Sequence, residues 1–306
     1  MEFLLTCILC IDRYDKKYQG ILFTIFTILI VSSTEITLKL LGGTSSHGGQ
    51  LNFWRFLIGG IFLFILAKKK SIKVASLPLL VLNAILFIVF SMNFYQMAIF
   101  QSSAFFVAVV FSTNPLFTQL INTLLTRQLK VPSLSIILSV LGIIIIIVSN
   151  YTKNDLGVLF ALISSILFGL YSTLNERIIK KYTLSTVTST SYTFIFGALE
   201  LALLNLIFSK FNDDSPLKSI FTFHYFTDFS LQTLPGLFYL SIVVTACGFL
   251  FYLICQIKFK KLSHTVFFSK PAVSAIFGLL ILNDPIPFSS IVGISLIFLG
   301  SILTFR

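Results

Sequence analysis

Apolar runs long enough to cross a lipid bilayer recur along this chain. They fall at roughly 20–41, 51–67, 75–98, 104–126, 133–150, 156–175, 185–208, 234–256, 264–282 and 288–305. A hydrocarbon core is about 30 Å thick and a helix rises about 1.5 Å per residue, so runs of about 17 or more residues suffice to span it. Ten transmembrane helices are predicted. The segment 143–148 (IIIIIV) has the composition of a strand but lies inside a longer run, and in lipid a helix is the form that satisfies its own backbone. The apolar stretch 3–11 (FLLTCILCI) is too short to span. The acidic Glu2 and the lack of a small-residue cleavage site also argue against a signal peptide. Residues 1–19 therefore read as a cytoplasmic N-terminal segment with an interfacial stretch, or as a start codon assigned too early.

Composition changes this picture only by making it firmer. Hydrophobic residues are 56% of the chain and charged residues 11%, against about 25% charged in a soluble domain. Lipid must be the surrounding solvent, and the fold class is all-α, a polytopic integral membrane protein. The formal charge of +11 does not point to nucleic acid, because the basic residues sit in short clusters between spans. If the N-terminus is cytoplasmic, sixteen Lys and Arg fall on the inner side and three, Lys153, Lys210 and Lys218, on the outer. That imbalance predicts both termini in the cytoplasm.

The chain also repeats itself. GILFTIF at 20–26 resembles GVLFALI at 157–163, and the same offset sets Tyr192 opposite Arg55 and Gly197 opposite Gly60. Pro115 in the fourth span matches Pro271 in the ninth, and Gln128 and Asp284 follow at the same distance from each. Gly142 and Gly300 stand late in the last span of each half. Five spans per half is an odd number, so the second copy enters the membrane from the opposite side. Repeats at 20–150 and 156–306 of this inverted kind are common in secondary transporters.

These residues resemble the drug/metabolite transporter superfamily, in particular its EamA-type ten-helix members. The likeness rests on Lys39 late in the first span, Arg55 early in the second, and the prolines in FSTNPLFTQLINTLL and FFSKPAVSAIFGLLI. Asp284 matches the acidic position that follows such a span in the family, whereas Gln128 departs from it. The resemblance covers roughly 20–306. It implies a central pathway lined by spans one to four and six to nine, movement of small organic metabolites, often outward, and a packing or dimerising role for spans five and ten.

Within the spans, each charge needs a reason, since insertion scales put its cost at about 2.5–3.5 kcal/mol at the bilayer centre. Glu35 and Lys39 stand one helical turn apart in the favourable order for a pair, with Arg55 at similar depth. They form either a gate or anion contact, or a cluster that snorkels to the headgroups. Glu200 and Lys270 lie nearer the midplane, where they either pair or face the pathway, and Glu200 is the expected carrier of proton coupling. Pro115 and Pro271 leave the carbonyls of Phe111 and Phe267 short of helical partners, and Asn114 and Lys270 precede them. These kinks are expected to line the cavity. Tyr95, Tyr171, Tyr192 and Tyr252 are stronger candidates than any Phe, because a buried phenol seeks a hydrogen-bond partner. The loop 209–233 is expected to lie on the outer membrane face or to cap the pathway.

Other chemistry finds little support. Cys7 and Cys10 form a lone C-x-x-C, Cys247 and Cys255 lie in a span, and Asp213–Asp214 has no second acidic pair. No metal, disulfide scaffold or cofactor is expected. The three histidines, His47, His224 and His264, stand at loops or helix ends, away from any intramembrane catalytic group, and no P-loop is present. An enzyme or receptor explains the doubled design less well than a secondary transporter does. Glu35 and Glu200 would suit a cation, as in a drug efflux pump. Lys39, Arg55 and Lys270 favour an anionic or amino-acid-like solute.

Overall fold

The computed structural model describes residues 16–42, 48–67, 72–126, 134–150, 156–210, 221, 223, 233–283 and 288–305. It is all-helical, with no strand among the described residues. Eight helices are long and apolar enough to cross a membrane. They are α1 (Gly20–Leu41), α2 (Gly49–Leu66), α3 (Val74–Gln101), α4 (Ala104–Thr126), α6 (Leu156–Tyr182), α7 (Thr186–Phe208), α8 (Leu234–Lys258) and α9 (Thr265–Leu282). Two further helices, α5 (Leu134–Asn150) and α10 (Phe288–Phe305), pack against each other. The stretch 3–11, Asp213–Asp214, Gln128 and Asp284 lie outside the described residues.

Local chemistry explains where the helices start and bend. Ser103 and Ser185 cap α4 and α7 by accepting from the backbone N–H groups of Phe106 and Thr188. Many hydroxyls inside the spans are satisfied by their own helix, as Thr24 by the Gly20 carbonyl at 2.7 Å and Thr27 by Phe23 at 2.7 Å. Such back-bonding hides a polar group from lipid and tends to bend the helix. On α1 it coincides with a break at Ser33, flanked by bonds from Thr34 to Val31 and from Thr37 to Ser33.

The two halves pack reciprocally. α2 lies along α7, and the third helix of each half carries a π-helical stretch, Ile85–Met92 in α3 and Tyr239–Cys247 in α8. The α3 stretch presses on α7, where a Cβ at Gly197 would lie 2.6 Å from the Ile88 Cβ. The α8 stretch presses on α2, where a Cβ at Gly59 would lie 2.8 Å from the Ser241 carbonyl. Glycine thus relieves both crossings, from a neighbouring backbone carbonyl at Gly59 and from the Ile88 side chain at Gly197. Outward faces are apolar, including Leu22, Ile25 and Leu29 on α1 and Leu120 and Leu124 on α4, as a lipid contact demands.

Aromatic rings fill the centre. Phe87 stacks on Tyr171 at 4.1 Å, and Phe111, Phe168, Tyr252 and Phe267 form a contiguous edge-to-face group beside them. These rings come from α3, α4, α6, α8 and α9, so both halves meet in this layer.

Candidate functional site

Above the aromatic layer, four charged or polar side chains converge from four helices. Glu35 on α1 is fully buried, as are Arg55 on α2, Tyr95 on α3 and Lys270 on α9. Lys270 Nζ lies 2.5 Å from Glu35 Oε1 and donates to the Tyr95 hydroxyl at 3.0 Å. Tyr95 in turn donates to the same Glu35 oxygen. Ser274, one turn beyond Lys270, lies 3.0 Å from the Ser32 carbonyl and 3.5 Å from Glu35 Oε2. Lys270 also faces the ring of Phe111 at 5.1 Å, so the ion pair rests directly on the aromatic layer.

Removing two charges from water is costly, and the low local dielectric returns that cost only when geometry is good and the remaining lone pairs are satisfied. Glu35 meets that condition with Lys270, Tyr95 and Ser274 around it. Arg55 does not. It lies over the Phe56 ring at 4.6 Å and its Nη2 is 3.7 Å from Met92 Sδ. Its Nε and Nη1 have no hydrogen-bond partner among the described residues. Arg55 is within electrostatic reach of Glu35, Tyr95 and Lys270, so the cluster holds two cations against one carboxylate.

The pairing differs from what sequence spacing suggests. Glu35 pairs with Lys270 across the fold rather than with Lys39 one turn away, and Lys39 is half-buried farther along α1. Lys270 therefore does not pair with Glu200. The Glu200 carboxylate oxygens are buried on α7 without a hydrogen-bond partner among the described residues. Proximity of α1 and α9 in the fold decides the partner, and residue spacing on one helix cannot report it. Ser274 carried a usable signal, since it stands four residues after Lys270 and so shares its helix face. Asn52, three residues before Arg55, carried the same signal.

The Pro115 kink is resolved in detail. α4 breaks at Ser112–Thr113, and the Phe111 carbonyl that Pro115 cannot serve accepts from Asn114 Nδ2 at 2.9 Å and from Ser165 at 3.3 Å. Pro271 lies inside a continuing helix, Lys260–Phe277, directly after Lys270. Tyr192 sits apart from the cluster, edge-on to Phe64 at 5.7 Å. The expectation that each buried phenol finds a partner fails at Tyr171, whose hydroxyl has none among the described residues. Its ring is held instead by stacking on Phe87, and burial of the ring outweighs the unmet hydroxyl. Tyr252 lies 3.4 Å from Ser172, which donates to Gln256 at 2.9 Å, forming a second polar group on the other side of the rings. Of the long loop, residues 209, 210, 221, 223 and 233 are described, and Phe223 joins the core. Phe223 is clamped by Asn205 through bonds of 2.9 and 3.0 Å and meets the Phe53 ring, two residues from Arg55.

A helical membrane protein with two reciprocally packed halves and a sealed charged cluster where they meet has the design of a solute carrier. Comparison with known proteins agrees. The chain belongs to the EamA-like transporter family, whose model matches residues 18–150 and again 155–306. An uncharacterized transporter of Clostridium kluyveri is 28% identical over 94% of this chain and 93% of its own. An uncharacterized transporter of Archaeoglobus fulgidus is 23% identical over 82% of this chain and 86% of its own. A crystal structure at 16% identity superposes with a TM-score of 0.66, covering 94% of this chain and 98% of that one, and so shares the fold. The protein is an integral membrane transporter rather than an enzyme.

Proposed function

We propose that this protein is a secondary active transporter that exports small organic metabolites, amino-acid-like in carrying charged groups, across the cell membrane. Both termini face the cytoplasm in this reading, and the two halves are inverted repeats that rock about the charged cluster. The observation that carries it is the sealed group of Glu35, Arg55, Tyr95 and Lys270 at the junction of α1, α2, α3 and α9. Intramembrane charge is expensive and is retained where it faces a solute or ion path. Lys39, Asn114, Pro115 and Pro271 flank that path, and Glu200 supplies a second buried carboxylate for proton coupling. The paired helices α5 and α10 serve packing and support a homodimer. A cation efflux pump fits less well, because the cluster carries more positive than negative charge.

The test compares solutes in cells and medium between cells overexpressing the protein and cells expressing Arg55→Ala. Export predicts that at least one small organic solute accumulates in the medium only with the unaltered protein. Identical media, or accumulation inside the cell, would contradict the reading.

A further inference from the structure

The charge ledger of the cluster narrows the solute further, and this step rests on the transport reading above. Lys270 consumes the one carboxylate in the cluster, with Tyr95 and Ser274 completing the shell of Glu35. Nothing among the described residues does the same for Arg55, which is fully buried with two nitrogens lacking acceptors. A buried cation left unpaired is costly, and it persists where a transient partner repays it. The neighbourhood supplies further unmet polar atoms. Asn52, one turn before Arg55, donates to the Met92 carbonyl at 3.1 Å and to Asn93 at 2.6 Å, leaving its Oδ1 without a partner. Gln96, one turn after Asn93, has both side-chain polar atoms buried and unpartnered among the described residues. Met92 joins the set, since Arg55 and Asn52 both reach it.

We propose that Arg55 docks the carboxylate of an organic monoanion, with the amides of Asn52 and Gln96 reading its remaining polar groups. A guanidinium suits a carboxylate in geometry as well as charge. One negative charge brings the cluster to neutrality while leaving the Glu35–Lys270 pair intact. A zwitterion would bring an ammonium for which the cluster holds no free carboxylate, so net anions are favoured over amino acids and over amines.

The chain provides its own reporter, because its one tryptophan, Trp54, adjoins Arg55. Fluorescence and thermal stability of the purified protein in lipid nanodiscs would be followed against matched probes on three scaffolds. These are propionate, alanine and ethylamine; 4-methylpentanoate, leucine and isoamylamine; and 3-phenylpropionate, phenylalanine and phenethylamine. For at least one scaffold the acid should bind at least tenfold more tightly than the matched amino acid, with no response to the amine. Arg55→Gln should weaken acid binding at least tenfold, and Arg55→Lys should keep the acid preference with lower affinity. Without ligand, Arg55→Gln should melt no lower than the unaltered protein, because it removes an unpaired buried charge. Equal or tighter binding of amino acid or amine, no response to any acid, or collapse of Arg55→Gln without ligand would overturn the proposal. Acid binding without solute export would instead sink the transport reading and leave the site standing.

Discussion

Lys270 has one carboxylate to answer it, and that carboxylate comes from the other half of the chain. A buried ion pair broken on one side leaves an uncompensated charge, at a cost of about 3–5 kcal/mol, whereas replacing both partners by similar-sized uncharged groups is often neutral. Glu35→Gln and Lys270→Met should therefore each lower the melting temperature of the purified protein, and the double variant should recover most of the loss. Equal, additive losses would mean that the two side chains do not act as a pair. At this scale the sequence was partly legible. It marked Glu35, Arg55 and Lys270 as charges needing a reason, because polar residues stand out against an apolar background. It could not choose their partners, since the choice between Lys39, Glu200 and Lys270 depends on which helices touch. Nor could it foresee that Arg55 would be left without an acceptor, which depends on every neighbour at once.

The elements repeat the same lesson in backbone terms. Apolar run length located the helices well, because lipid imposes a minimum length and forbids unsatisfied backbone. Helix interiors were less readable. The break at Ser112–Thr113 could be anticipated from Pro115, which removes a donor, but the π-helical stretches in α3 and α8 carry no proline and follow from packing. Each presses on a glycine of the opposite half, so glycine positions test the reciprocal design. Gly197→Ala would drive a Cβ to 2.6 Å from the Ile88 Cβ, and Gly59→Ala would reach 2.8 Å from the Ser241 carbonyl. Overpacking of this kind costs about 1–3 kcal/mol. Both variants should melt below the unaltered protein, while Gly278→Ala, with nothing within 4 Å of its added Cβ, should leave the melting temperature unchanged. Similar losses at all three positions would contradict close helix approach as the cause.

For the whole molecule, the cluster and the aromatic layer beneath it act as one closed junction between two related halves. Glu35, Arg55, Tyr95 and Lys270 are sealed from solvent in this conformation; if they line the solute path as proposed, alternating access has to open them to one side and then to the other. The most direct measurement places a cysteine at Ser274, which touches Glu35 without supplying charge. The four native cysteines would be replaced by alanine. A membrane-impermeant thiol reagent would then be applied to right-side-out and inside-out vesicles. Alternating access about this junction predicts slow labelling from both sides, at rates that change in opposite senses when an exported solute is added. Complete protection from both sides under every condition would contradict it.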